Sequence, residues 1–356
     1  SITQAGLTVT ADAGQGKVYG SADPTLTYSI SGFVNGDTES DLDTSVMISR
    51  AAGEDVGDYA ITTSGATDAN YTISFVGSTF SITQAGLTVT ADAGQGKVYG
   101  AIDPVLSYTI TGFQGTDNEA SLDTGVTIFR VAGENVGDYT ITPSGAADSN
   151  YSVSFVTSIF TITPAGLTVT ADAGLSKVYG TVDPTLTYMI TGFQGADTEA
   201  DLDTPVMIAR VAGEDVGAYT ITPSGASDSN YSISFVESTF EITQAALLVT
   251  ADGGFSKVYG TTDPIFTYVI TGFIGTDNEA SLDTPVSISR AAGEDVGQYI
   301  ITPSGAADIN YSISFVTSTF DITQSALLVT ADSGLSKVYG NLSLIHISEP
   351  TRREGI

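Results

Sequence analysis

The sequence predicts an all-β chain, a tandem array of sandwich domains of about 80 residues each. Three observations predict it. Lys-Val-Tyr-Gly recurs at Lys17, Lys97, Lys177, Lys257 and Lys337, always 80 residues apart. A period that long marks units large enough to bury a core of their own. Within each unit, apolar and polar residues alternate in short runs such as Leu7-Thr8-Val9-Thr10-Ala11, the pattern of a half-buried strand. Between the runs stand Gly, Pro, Asn and Asp, the residues that turn a chain.

The unit boundaries follow from the repeat itself. Ser1–Gly20 is identical to Ser81–Gly100, and Ser81–Gln84 reads as a closing strand. Residues 1–4 therefore read as the end of a preceding unit. Residues 5–84, 85–164, 165–244 and 245–324 are four complete units, and 325–340 begin a truncated fifth.

The elements of the first unit run as follows. Leu7–Ala11 is the first strand, and Gly14 and Gly16 break it before Lys17–Gly20. Asp23-Pro24 marks a turn, because Pro fixes its own φ and biases the preceding residue to extended backbone. Leu26, Tyr28 and Ile30 point one way from the second strand, which Gly32-Phe33 ends. Asn35-Gly36-Asp37 is a turn, and Asp37–Leu42 reads as one short helical turn capped by Asp37. Val46, Ile48 and Arg50 alternate with Met47 and Ser49 in a third strand, and Ala51–Val56 is a loop. Tyr59 and Ile61 mark a fourth strand, Tyr71, Ile73 and Phe75 a fifth, and Phe80 and Ile82 a sixth.

Six short strands with one helical turn describe a β-sandwich. Asp55-Val56-Gly57-Asp58-Tyr59 has the Asp-x-Gly-x-Tyr form of the corner in immunoglobulin-like domains, which makes that the expected fold. A β-grasp-like sheet around the helical turn is the alternative. Ile82–Leu87 runs from one unit into the next without a flexible linker, and Pro164 stiffens the second junction. At roughly 30 Å per compact unit, four in series would reach on the order of 120 Å.

Charge narrows the partners. The net charge is −30, from 41 acidic and 11 basic residues. Each complete unit holds one Lys and one Arg, Lys17 and Arg50 in the first, so no basic patch forms and nucleic acid is a poor partner. No apolar run is long enough to span a membrane, so no membrane insertion is expected in this stretch. There is no Cys, hence no disulfide framework, and no complete unit contains His. His-dependent triads and Cys nucleophiles are therefore excluded within the repeats. Adjacent Glu54 and Asp55 do not form a glycosidase pair, which needs two carboxyls facing each other across a cleft. No catalytic and no cofactor-binding residues are assigned.

Four stretches taken together resemble a known family. They are Lys-Val-Tyr-Gly, Asp-Pro-x-Leu-Thr-Tyr-x-Ile-x-Gly-Phe, Arg-Ala-Ala-Gly-Glu-Asp-Val-Gly-Asp-Tyr and Asn-Tyr-Thr-Ile-Ser-Phe. In this order and spacing the chain resembles the MBG domain of the Tyr-Gly-x type, from Ala5 to Gln324 and into the fifth unit. One departure is the loop after Phe33, where Val34-Asn35-Gly36 becomes Gln114-Gly115-Thr116 in the second unit. That family occurs as tandem repeats in large bacterial surface and secreted proteins, including haemagglutinin-like adhesins. The resemblance implies an exported adhesin or cell-surface protein, located outside a bacterium.

Three constellations could do more than fold. The acidic run Asp37, Glu39, Asp41 and Asp43 places oxygen ligands at alternate positions, as a Ca²⁺ loop would. It fails as an EF-hand, because Leu42 stands where Gly is needed and Ile48 where the closing Glu is needed. A solvated acidic loop is the expectation, and no metal site is assigned. Tyr19, Tyr28, Tyr59 and Tyr71 are expected in the core with their hydroxyls tied to backbone, Tyr19 being the one in an exposed type of loop. Lys17 is expected to be exposed or salt-bridged; an amide with Asn70 is the alternative.

The expected function is a non-enzymatic stalk or spacer in which each unit packs on its neighbours. The alternative is a module binding glycan or a surface protein through the Lys17–Pro24 loop or the acidic loop. Residues 341–356 do not continue the repeat: Ser343 and Leu344 stand where Asp-Pro is due, and Ser348 where Tyr is due. Leu342–Arg352 resembles a translated sequencing adapter, so the segment is expected to be non-native and is left out of the fold.

Overall fold

A computed structural model describes residues 1–331, 333–334, 336 and 338–340. The expected non-native tail lies outside them. By contacts the chain divides into two compact units. One is Ser1–Asp172 with Thr187–Ala209 and Thr222–Ser238. The other is Ala173–Leu186 with Arg210–Ile221 and the described residues from Thr239 onward.

Each repeat holds seven strands and one 3₁₀ turn. In the first they are β1 (Ala5–Ala11), β2 (Gln15–Val18), β3 (Tyr28–Ser31), β4 (Met47–Arg50), β5 (Gly57–Ser64), β6 (Tyr71–Val76) and β7 (Ser78–Thr83). One sheet has the order β3-β1-β6 and the other β2-β7-β5-β4. β1 pairs antiparallel with β3 and parallel with β6; β2 pairs parallel with β7, Gln15 opposite Phe80 and Lys17 opposite Ile82. The two sheets enclose a core of Ala11, Ile61, Phe80 and Ile82, with Tyr19, Leu26, Ile48, Val56 and Tyr59 packed against it. This is a β-sandwich. The fourth repeat encloses the equivalent set Ala251, Ile301, Phe320 and Ile322.

The alternating pattern fixes the buried face. Leu7, Val9 and Ala11 are buried while Gly6, Thr8 and Thr10 are not. Tyr59 bears out the corner motif, because its hydroxyl donates to the Asp55 carbonyl at 2.8 Å. The β-grasp alternative fails: the only helical piece of the first repeat is Glu39–Asp41, three residues long, with nothing wrapped around it.

Three details depart from the sequence reading. The segment expected as a break before Lys17 is strand β2. Its Gly16 lies where a Cβ would sit 2.2 Å from the Ser81 carbonyl oxygen, so a residue that reads as a breaker permits close strand approach. The second strand starts at Tyr28 rather than Leu26; just before it, the Thr27 carbonyl accepts from the Asp12 amide at 3.0 Å, and the Gln15 side chain bonds both backbone groups of Thr27, at 2.8 and 3.0 Å. The 3₁₀ turn is capped by Thr38, not Asp37. The described residues of the expected truncated fifth repeat contain no strand.

Candidate functional site

Two arrangements recur with the repeat and use most of its charged and aromatic groups. The first is a closed ring of ions. β2 carries Lys17 and β4 ends in Arg50, and Asp23 and Glu54 come from the loops that follow them. Lys17 Nζ lies 2.7 Å from Asp23 Oδ1 and contacts Glu54 Oε2. Arg50 Nε lies 2.5 Å from Asp23 Oδ2, and its Nη2 lies 2.6 Å from Glu54 Oε1. Each cation thus touches both anions. Arg50 Nη1 donates to the carbonyls of Ala51 and Gly53 at 2.9 and 2.7 Å. The guanidinium lies over the Phe80 ring, 5.1 Å from its centroid. Side-chain exposure is 4% for Lys17 and 9% for Arg50, against 39% and 67% for the two acids. The cations are the buried members, so the ring seals the open end of the core.

The electrostatics decide what this ring can do. Arg50, then Lys17, hold the Asp23 carboxyl at about 2, well below its ordinary 3.8. The hydrogen bond from Lys17, then that from Arg50, lowers Glu54. Asp23 and Glu54 in turn raise Lys17. An amide with Asn70 needs a neutral Lys17 amine to attack the Asn70 carboxamide, which then loses ammonia; here Asp23 and Glu54 hold Lys17 in its charged form. Lys17 is salt-bridged, as expected, and its partners are Asp23 and Glu54 rather than Asn70. The same ring stands in the other three repeats on Lys97, Lys177 and Lys257. The Lys and Arg of all four repeats are thereby engaged, and the charged side chains of these repeats outside the rings are all acidic.

The second arrangement joins repeats. Tyr19 follows β2 and reaches the next repeat. Its hydroxyl donates to Asp117 Oδ2 at 3.0 Å, an oxygen that also accepts from the Tyr151 hydroxyl at 2.7 Å. The two rings meet edge to face, centroids 5.4 Å apart. Tyr19 thereby packs with Ala85, Leu87, Ile110, Phe113 and Tyr151, a second buried cluster of that repeat, besides packing on the core of its own. Beside it, Asn150 Oδ1 accepts from the Val56 amide at 2.8 Å, and Asn150 Nδ2 donates to Asp55 Oδ1 at 3.3 Å.

Gly20 makes the approach feasible. Its φ is +76°, and a Cβ there would sit 2.4 Å from Gln114 Cβ. Only one residue, Gln84, separates β7 from the first strand of the next repeat, Ala85–Ala91. Within the same compact unit, Tyr99 enters the third repeat, its hydroxyl 2.9 Å from Asp197 and its ring 5.4 Å from Tyr231. In the other unit Tyr179 enters the fourth repeat, 3.0 Å from Asp277 and 5.5 Å from Tyr311.

The sequence profile of the MBG domain (YGX type) matches residues 7–81, 87–161, 167–241 and 247–321. The chain belongs to this family. No curated protein sequence matches it significantly. Among solved structures it is similar to three N-terminal domains of the Highly Immunogenic Outer Capsid protein (Hoc) of bacteriophage RB49. That match has 14% identity and a TM-score of 0.23, over 79% of this chain and 99% of that one. Immunoglobulin domains 1–5 of Sidekick-1 match at 12% identity and a TM-score of 0.24, over 84% and 70%. The N-terminal four Ig domains of Dscam1 isoform 9.44 match at 11% and 0.19, over 88% and 97%. Scores this low carry no argument about function.

The acidic run of the MBG repeat does not converge on a cation. Asp37 accepts from the Tyr71 hydroxyl at 2.8 Å, and Glu39 accepts from Tyr28. Asp41 accepts from the Thr38 amide at 2.8 Å, and Asp43 from the Ala69 amide at 3.0 Å. Four carboxylates thus have four separate partners. Among the described residues no cluster of three or more potential metal ligands exists. Asp37 is drawn away from the cap position by Tyr71.

The tyrosines are packed, as expected, but their hydroxyls divide differently. Tyr59 finds a backbone carbonyl, whereas Tyr19 and Tyr28 find carboxylates and Tyr71 finds both kinds. Glu54 and Asp55 point to different partners, the ion ring and Asn150, so no carboxylate pair faces a cleft. The joint residues Asp55, Asp117 and Asn150 escaped the sequence reading. Their one signal was that Tyr-Gly, Asp and Asn-Tyr recur at fixed offsets from one unit to the next.

Proposed function

We propose that this chain is a non-enzymatic spacer, a stretch of stalk in a large exported bacterial adhesin or cell-surface protein. The observation that carries the reading is that Tyr19, Tyr99 and Tyr179 of the first three repeats each pack into a buried cluster of the next repeat, coupling it by packing rather than by a tether. A one-residue junction supports the same conclusion. So does the net charge of −30, whose self-repulsion suits a chain that must stay extended. Surface location is what the family context implies. Small-angle scattering on the chain at low concentration tests the spacer. A particle with a longest dimension on the order of 120 Å supports it. A compact particle overturns it.

A second reading, a module that binds a surface protein, is favoured by one observation. The Asp-Pro loop bears bare aliphatic side chains in three repeats: Ile102 and Val105, Val182, and Ile265, each at least 89% exposed. Such groups suit a protein partner more than a glycan. The two readings part on Val105→Asp with Ile265→Asp: adhesion of cells displaying the chain falls if the loops bind, and is unchanged if they only space.

A further inference from the structure

Each of the four complete repeats begins and ends on strands that run side by side in the same direction. In the first, β1 pairs parallel with β6, from Ala5 opposite Tyr71 to Thr10 opposite Val76. β2 pairs parallel with β7, from Gln15 opposite Phe80 to Val18 opposite Thr83. Only residues 12–14 separate β1 from β2, and only Gly77 separates β6 from β7. The opening and closing stretches of the repeat therefore form one parallel pair that passes from one sheet to the other. Backbone bonds close it at both ends. The Ala5 amide donates to the Asn70 carbonyl at 2.9 Å, and the Tyr19 amide to the Thr83 carbonyl at 2.8 Å. Side chains add to it: Thr8 Oγ1 lies 3.1 Å from Ser74 Oγ, which donates to the Leu7 carbonyl at 3.3 Å. The same two parallel pairings stand in the second, third and fourth repeats.

Direction decides how such a pair fails under load. The chain enters the first repeat at Ala5, the start of one strand, and leaves it at Thr83, the end of a neighbouring one. In a parallel arrangement these two points lie at opposite ends of the pair. Tension on the chain then slides one strand along the other, and the evenly spaced bonds between them bear the load together. Were the two stretches antiparallel, entry and exit would lie at the same end, and tension would open the bonds one after another. β3, β4 and β5 fall between Tyr19 and Asn70 in the chain, behind the pair, and are not stretched until it gives way. One residue after Thr83, at Ala85, the paired strands of the second repeat begin.

We propose that each repeat is a shear clamp and that the array bears tension along the chain. This goes beyond the spacer reading, which asks only for length. It rests on strand order within one repeat and on nothing between repeats. Resistance to pulling is set by the rate of unfolding under load rather than by equilibrium stability. A clamp of this kind is therefore strong along the chain and weak across it, within one fold of one stability.

Single-molecule force spectroscopy on the full chain tests this. Held by its two ends, the chain should show one unfolding event per complete repeat, each releasing on the order of 250 Å, the extended length of a repeat less its folded length. The chain has no Cys, so Gly86→Cys with Ser152→Cys supplies two attachment points, kept reduced until coupled. These residues stand opposite each other near the start of the parallel pair of the second repeat, and both are exposed. No atom lies within 4 Å of where a Cβ on Gly86 would be. Pulling between them peels the two strands apart. In this one variant the second repeat should open across the strands at a force several-fold below that of every end-to-end event. Both pulls act on the same fold, so any loss of stability from the substitutions affects both. A force across the strands equal to or above the end-to-end force overturns the proposal. That result leaves the spacer standing, whereas a compact particle in scattering overturns the spacer and leaves the clamp.

Discussion

Tyr19 in the first repeat and Tyr151 in the second share one acceptor. Both hydroxyls donate to Asp117 Oδ2, at 3.0 and 2.7 Å, and the rings meet at 78°. Their sequence separation is large. The pair links the two sandwiches through one shared carboxylate inside a buried cluster.

That relationship predicts alkaline sensitivity. Burial first, then Asp117, pushes Tyr151 up to about 12 from its ordinary 10.0, and Tyr231 and Tyr311 are pushed to about 12 in the same way. A phenol whose pKa is higher folded than unfolded contributes stability that is present below pH 10 and lost as pH rises toward 12. The melting temperature should therefore fall across that window. Absorbance titration of phenolate should show these tyrosines ionising only as the chain unfolds. Complete ionisation near pH 10 in a folded chain contradicts the joint.

The ion rings predict the opposite limb. Asp23, Asp103, Asp183 and Asp263 are each held at about 2, first by Arg and then by Lys. A carboxyl depressed in the folded state contributes stability above its unfolded pKa, lost as pH falls from about 4 toward 2. Replacing all four by Asn should lower the melting temperature at pH 7 and flatten its acid decline. An unchanged acid profile would show that the rings do not seal the cores.

Much of this was legible in the sequence and some was not, for physical reasons. Alternation placed β1 and β4–β7 because each has one buried face, and the Asp-x-Gly-x-Tyr corner located Tyr59. β2 was hidden because Gly16 is needed for close approach to Ser81, and a glycine reads as a break. Leu26 was assigned to a strand because its side chain does pack against the core; what it lacks is a strand partner, since the pairing with β1 begins at Tyr28. Lys17 was read as salt-bridged, but the closed ring depends on Asp23 and Glu54 arriving from two loops. Tyr19 was the hardest. Its partners Asp117 and Tyr151 lie in another repeat, and no local periodicity reports such a contact.

The floor of the ring gives a magnitude. Phe80 has no exposure and lies under Arg50. Phe80→Ala should destabilise the first repeat by about 3–5 kcal/mol, the cost of an emptied aromatic site. Urea unfolding read through exchange in the 57–64 peptide measures it. A loss below about 1 kcal/mol would place Phe80 outside the core that matters.

Salt should matter more than calcium. Self-repulsion of a net −30 charge is screened by NaCl, so the melting temperature should rise with it. Micromolar CaCl₂ at fixed ionic strength should leave it unmoved, since the carboxylates of the Asp37–Asp43 run are engaged separately. A large rise with calcium would mean that the run rearranges around the ion.

The central claim, that Tyr19, Tyr99 and Tyr179 each pack into the following repeat, is tested most directly by hydrogen exchange on Tyr19→Ala. Peptides covering 113–122 and 151–156 in the second repeat should lose protection, while 57–64 in the first keeps most of its own. Loss confined to the first repeat, with the second unchanged, would contradict the claim.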